Sequence, residues 1–297
     1  MPSGSDALRT YAPTAANAVE RVVAAAWMVS ADRGVLSLVA EAATRSAAIH
    51  DLVPLEAPLA VDAPVADLDS GAILTFAEQC ATDVAAVTPE QRAAFLAAAG
   101  PVAGDLAAAL WVVDMVPRTR AALDALAGPG PWPEPAEPDP GTDLWGALDG
   151  LIRTVPSLDA LDPVTSELVR LRGARQHRCR LCMSLRSRPA LRAGADEVTF
   201  AAVDDHQTSD LSLLARAALA FTDGMLWTPG RLDPATVAEL AHEATPAQQV
   251  EIVLDVTRNA LNKIAVALGA DAPHVENGVE VYDVEPDGSL VYGLILD

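Results

Sequence analysis

The chain has 297 residues, 51% of them hydrophobic but only 4% aromatic, and a formal net charge of −21 with a pI near 4.4. That length is enough for two ordinary domains with a sizeable core, and an Ala- and Leu-rich, aromatic-poor composition favours helix over strand. The acidity argues against a nucleic-acid partner and against an anionic membrane surface, since both call for a basic face.

In chain order, the start "MPSGSDALRTYAP" lacks a basic segment followed by an apolar run, so no signal peptide is expected. Apolar periodicity and start signals predict helices near 14–28, 34–48, 70–86, 89–99 and 103–127. Thr88-Pro89-Glu90-Gln91 supplies an N-cap, a proline at the first helical position and a Gln three after the cap. The most apolar stretch, 98–117, carries Asp105, Asp114, Gly100, Gly104 and Pro101, so it reads as a core helix rather than a membrane span. Residues 129–142, "PGPWPEPAEPDPGT", exclude helix and read as an extended linker.

Beyond the linker, helices are expected at 143–153, 163–176, 178–188, 195–205, 210–226, 234–243 and 246–268. The tail 278–295 has two β-rich runs around Pro286-Asp287-Gly288, a hairpin that must pack on the helical body or on another subunit. The halves look related. At a constant offset of 145 residues Leu74 meets Leu219, Phe76 meets Phe221, Pro89 meets Pro234, Pro101 meets Pro246, and Arg118 meets Lys263, the only lysine. Prolines in register at helix starts point to an internal duplication.

Three cysteines are present: Cys80, Cys179 and Cys182. An odd, low count does not suggest a secreted disulfide scaffold, and the expected location is cytoplasmic. Cys80 reads as a buried filler. Cys179 and Cys182 sit in "HRCRLCMSLRSR", among eight arginines between 170 and 192. On a continuous helix 178–188, Cys179, Cys182 and Arg186 would share one face, with both thiols in the first turns, where free N–H groups and nearby guanidinium groups favour a thiolate. Three readings stand: a redox-active dithiol, two small buried thiols, or half of a metal site. The last would need two more ligands, and no second pair stands at a useful spacing. From its neighbours alone, Glu167 reads as an exposed partner of Arg170 one helical turn away. His206 and His242 read as solvated, and Trp111, Trp145 and Trp227 as core or interface residues.

Glu167 lies twelve residues before Cys179. The pattern Glu-x(11)-Cys-x-x-Cys on a helical, duplicated chain resembles the alkylhydroperoxidase D-like branch of the carboxymuconolactone decarboxylase family, well over 150–270 and as a degenerate copy in the first half. The resemblance implies an all-α fold of two tandem alkylhydroperoxidase D-like domains: 1–128 without the dithiol, linker 129–142, 143–275 with it, then a β-hairpin tail, 276–297. At the offset of 145, the cysteine positions become Gly34 and Ser37, and Glu167 becomes Val22.

The resemblance further implies a thiol-dependent peroxidase or dithiol–disulfide oxidoreductase. Cys182 would be the peroxidatic thiol, Cys179 its resolving partner and Glu167 the relay carboxylate. It implies a small-molecule hydroperoxide substrate, a dithiol or thioredoxin-like reductant, no bound cofactor or metal, and a homo-oligomer, while the acidic composition leaves no nucleic-acid or membrane partner expected. One residue departs from the pattern: the family's relay histidine position holds Arg186, which does not titrate near neutral pH. His177 is the histidine nearest in sequence, and it faces Cys182 only if the backbone turns between them. The alternative of another class is a helical scaffold, binding or redox-sensing protein of the same fold whose catalysis has lapsed.

Overall fold

The structure is a computed structural model and describes residues 2–29, 33–57, 69–133 and 143–295. The linker 129–142 is described only as far as residue 133, as non-helical chain; the remainder of that segment lies outside the described residues.

The chain is mainly α-helical. In the first half run α1 (Gly4–Tyr11), α2 (Pro13–Ala26), α3 (Arg33–Ile49), α4 (Ser70–Asp83), α5 (Pro89–Ala99) and α6 (Ala103–Ala127). The second half has α7 (Leu144–Thr154), α8 (Pro163–Gln176), α9 (Arg180–Met183), β1 (Leu185–Ser187), α10 (Arg188–Arg192), α11 (Glu197–Ala201), α12 (Leu213–Trp227), α13 (Pro234–Glu243), α14 (Pro246–Asn259) and α15 (Asn262–Leu268). The hairpin β2 (Glu280–Val284) and β3 (Leu290–Leu294) closes the chain. The start signals act as their chemistry requires. Thr88 and Thr245 form capping boxes with Gln91 and Gln248, and Pro89, Pro163, Pro234 and Pro246 all stand in the first turns of their helices.

Two expected helices break. Residues 178–188 form the single turn α9 followed by β1, and 246–268 divides into α14 and α15 at Ala260 and Leu261. The reason for the first break is Arg178, which has φ +51°. It occupies the left-handed position after α8, with the Arg178 N–H on the Arg175 carbonyl (3.1 Å) and the Cys179 N–H on the Ala174 carbonyl (3.0 Å). That is a Schellman ending, which satisfies the last carbonyls of α8 and turns the chain away. The expected common helical face for Cys179, Cys182 and Arg186 therefore does not exist. Arg186 lies on a strand.

The two halves repeat a packing order. α3 packs on α4 and α6, and α4 on α5; α8 packs on α12 and α14, and α12 on α13. Across the join α2 meets α7, and α6 meets α14. There the Thr119 and Thr257 hydroxyls lie 2.7 Å apart, and Trp111 Nε1 donates to the Ala260 carbonyl (2.9 Å). Arg118 and Lys263, matched by the offset of 145, converge on the same buried carboxylate, Asp114. The offset does not extend to α8, whose packing counterpart is α3. The segment equivalent to the dithiol turn therefore begins after His50 and does not include Gly34 and Ser37.

One hydrophobic core runs through both halves. The stretch Pro89–Ala127 is the one helical span among the described residues that could cross a membrane by length and composition, and its most apolar part is 56% buried within the protein. The terminal hairpin packs on the helical body. β1 pairs parallel with β2 (Leu185 with Glu280, Ser187 with Tyr282), and β2 pairs antiparallel with β3.

Candidate functional site

The ending of α8 places the dithiol. Cys179 caps α9, its Sγ accepting the Cys182 N–H (3.2 Å), and the two cysteines form a disulfide. Their Cα atoms are 5.3 Å apart, within the span a disulfide bridges. Cys179 is 1% exposed, whereas Cys182 is only half-buried. The turn is pinned from the far end of the domain. The Asp271 side chain accepts the Arg180 N–H (2.9 Å) and its guanidinium (2.7 Å), and the Asp271 carbonyl accepts the Leu181 N–H (2.9 Å). The Arg180 hydrogen bonds hold the Asp271 carboxyl below its ordinary pKa.

Glu167 is buried on α8 and fully engaged. It takes both prongs of Arg170 (2.6 and 2.7 Å), the Tyr282 hydroxyl (2.9 Å) and the Ser187 N–H (3.0 Å). So it does pair with Arg170, but in the interior rather than at the surface. Arg170 continues to the Cys182 carbonyl (2.8 Å) and the Leu185 carbonyl (2.9 Å). Burial works against its charge, but Glu167 and Tyr282 outweigh burial and raise its pKa. Burial, reinforced by the charge of Glu167, also raises that of Tyr282. Glu167 therefore reaches the dithiol segment through one intervening guanidinium.

The remaining candidates point elsewhere. Arg186 pairs with Glu197 through two hydrogen bonds of 2.9 Å, donates to the Met183 and Leu185 carbonyls, and lies over the Phe200 ring. His177 is buried, with Nδ1 2.7 Å from Asn262 Oδ1. Burial, with Lys263 adding repulsion, pushes its pKa down to about 3. The backbone does turn after His177, yet the ring enters the core between the halves. The arginine cluster is mostly spent on carboxylates: Arg172 on Asp223, Arg175 on Asp204, Arg180 on Asp271 and Arg188 on Asp283. Among the described residues no histidine or carboxylate hydrogen-bonds either sulfur, and no group of three or more His, Cys, Asp or Glu could hold a metal.

Other expectations divide. Burial pushes the Cys80 thiol up to about 12, which suits a filler. His206 is buried rather than solvated, and His242 is exposed. Trp111 is core, whereas Trp145 and Trp227 are partly exposed and donate to Asp105 and Gln176. Sequence reasoning missed Tyr282, Asp271 and Asp255. Tyr282 stood in the tail, and nothing local connects it to Glu167, 115 residues away.

The chain aligns over 274 residues, 88% of its length and 93% of the relative's, with the uncharacterized protein Rv2313c of Mycobacterium tuberculosis (strain ATCC 25618 / H37Rv), at 39% identity. The uncharacterized protein MT2376 of Mycobacterium tuberculosis (strain CDC 1551 / Oshkosh) aligns with the same identity and coverage. The chain belongs to the family of these two proteins. The alignment spans nearly the full length of both chains and so takes in both halves of this one. No family model matches the chain, and no solved structure matches it.

Proposed function

We propose that the protein is a dithiol–disulfide oxidoreductase of the alkylhydroperoxidase D-like type, with organic hydroperoxides as oxidants. The observation that carries this reading is the Cys179–Cys182 disulfide in a pinned one-turn helix, with Cys182 the more accessible partner and Cys179 held beneath it.

In the reduced protein the Cys182 thiolate attacks the distal oxygen of the hydroperoxide. An S–O bond forms, the O–O bond breaks, and the alkoxide takes a proton and departs as alcohol. Cys179 then attacks the sulfenic sulfur, forming the disulfide and releasing the oxygen as water. An external dithiol supplies the two electrons that reopen the bond, attacking at Cys182 and becoming a disulfide itself. Cys179 is then the leaving thiolate, and the Cys182 N–H directed at its Sγ favours that charge.

A second reading rests on Arg186. It is committed to Glu197, and no histidine stands in its place. Without a proton relay the same dithiol would sense oxidant once and not turn over.

The test uses purified protein with cumene hydroperoxide and excess dithiothreitol. The expected result is sustained hydroperoxide consumption that Cys182→Ser abolishes. A single stoichiometric oxidation to disulfide without turnover would favour the sensor. No reaction of either cysteine would overturn both readings.

A further inference from the structure

Glu167 and Arg170 also line a cavity of about 460 Å³ that neither cysteine lines. It lies among the turn after α7, α8, α14 and the terminal hairpin. Its size is that of a small-molecule site. One wall is α14, where Glu251, Asp255 and Arg258 stand at helical spacing and share a face. The turn after α7 adjoins this wall and adds an apolar strip of Val155, Pro156, Leu158 and Leu161, with Asp159 among them, while the hairpin side contributes Asp283 and Glu285.

Two opposite charges on the α14 wall are incompletely matched. Asp255 is 8% exposed, and its Oδ2 is buried with no hydrogen-bond partner. Arg258 donates Nε to the Ile152 carbonyl (3.0 Å) and touches Asn259, but it forms no ion pair among the described residues, in a chain where most neighbouring arginines hold a carboxylate. Glu251 is different: it accepts the Ala160 and Leu161 N–H groups (2.7 and 3.2 Å) and adds negative charge beside Asp255. Buried polar groups in native proteins are nearly always partnered, so an orphan carboxyl oxygen and an unpaired guanidinium on one cavity wall mark where a ligand supplies the missing contacts.

We propose that this cavity binds a small zwitterion, an amino acid with an apolar side chain, whose ammonium group donates to Asp255 and whose carboxylate accepts from Arg258. The apolar side chain lies on the wall of Val155, Pro156, Leu158 and Leu161. A simple amine would leave Arg258 without an ion pair, and a simple carboxylate would leave Asp255 Oδ2 unpartnered beside Glu251, so each should bind more weakly than the zwitterion. Burial and the charge of Glu251 push the Asp255 carboxyl up to about 7, against the opposing pull of Arg258 and Ser166. An arriving ammonium would relieve that repulsion. The proposal is independent of the redox reading.

The experiment is calorimetric titration of the full chain with L-leucine and L-phenylalanine, each beside its two one-charge analogues: 3-methylbutylamine and 4-methylpentanoate, phenethylamine and 3-phenylpropanoate. The expected result is a dissociation constant below about 1 mM for at least one amino acid, at least about ten-fold tighter than either of its analogues. Asp255→Asn and Arg258→Gln should each weaken it about ten-fold or more, with folding checked by thermal melting. Failure of both amino acids to bind, or the absence of that ten-fold margin for every amino acid that does bind, overturns the proposal. That comparison is made on the unaltered protein and so does not depend on how the variants fold.

Discussion

Glu167 and Arg170 form a two-pronged ion pair in the interior, and Arg170 extends from it to the carbonyl of Cys182. The carboxylate that the family resemblance implied as a proton relay is held in the interior, where it ties down the strand and turn that carry the dithiol. Tyr282 and the Ser187 N–H complete its shell, so the anchor also ties the last hairpin to the redox turn.

Removing one partner of that pair strands the other charge. Glu167→Gln should cost about 3–5 kcal/mol of unfolding free energy, as for other broken buried pairs. Tyr282→Phe removes one hydrogen bond to a charged group and should cost about 1.5–3 kcal/mol. Urea denaturation of both variants checks this, and a loss below about 1 kcal/mol for Glu167→Gln would contradict the anchoring role.

Arg178 holds a left-handed conformation that glycine adopts without strain. Its side chain is exposed, so little packing is lost on replacement. Arg178→Gly should therefore stabilise the protein by up to about 1 kcal/mol while leaving the dithiol in place. A lower melting temperature in the variant would argue against a Schellman turn at this position.

Two buried groups make opposite contributions to the pH dependence of stability. His177 has a native pKa near 3 against an ordinary 6.5. Between those values the unfolded chain holds a proton that the native chain lacks, so stability present above about pH 6.5 is lost as pH falls. Asp255 is raised from 3.8 to about 7. Across that window the native chain holds the extra proton, so stability is lost as pH rises. The two largely cancel between pH 4 and 6.5. His177→Gln should unmask a falling stability curve and Asp255→Asn a rising one, each by up to about 1.4 kcal/mol per pH unit. Parallel curves for the two variants and the parent would refute both assignments.

Gly288 turns the hairpin at φ +79°, and a Cβ there would stand 2.1 Å from the Arg153 carbonyl oxygen. Neither the conformation nor the contact tolerates a side chain. Gly288→Ala should cost more than about 2 kcal/mol and loosen the hairpin from α7. Hydrogen exchange at β2 and β3 would show it as faster exchange there, with α2–α6 unchanged.

The helices were legible because their start signals are local. Asp or Thr followed by proline fixes a first turn within four residues, and Pro163, Pro234 and Pro246 all stand where those signals put them. The hairpin was legible from Pro286-Asp287-Gly288 and its flanking β-rich runs. The break at Arg178 was not, because arginine carries no signal for a left-handed residue. The expected common face of Cys179, Cys182 and Arg186 failed for that one backbone reason. His177 and Arg186 also could not be placed, since their partners Asn262 and Glu197 are chosen by packing.

What the sequence determined by itself is the helical class, the terminal hairpin, the matched spacing of the two halves and the Cys-x-x-Cys pair beside Glu167. Apart from the matched halves, which show as a repeat along the chain, each arises from propensity, capping chemistry and short-range spacing, which act within a few residues. Only the tertiary structure decided that Glu167 is closed off by Arg170 and Tyr282, that Arg186 belongs to Glu197, and that Asp255 and Arg258 share a cavity wall without sharing an ion pair. Those outcomes depend on which charges burial forces together, and burial is settled by how α8, α14 and the hairpin meet.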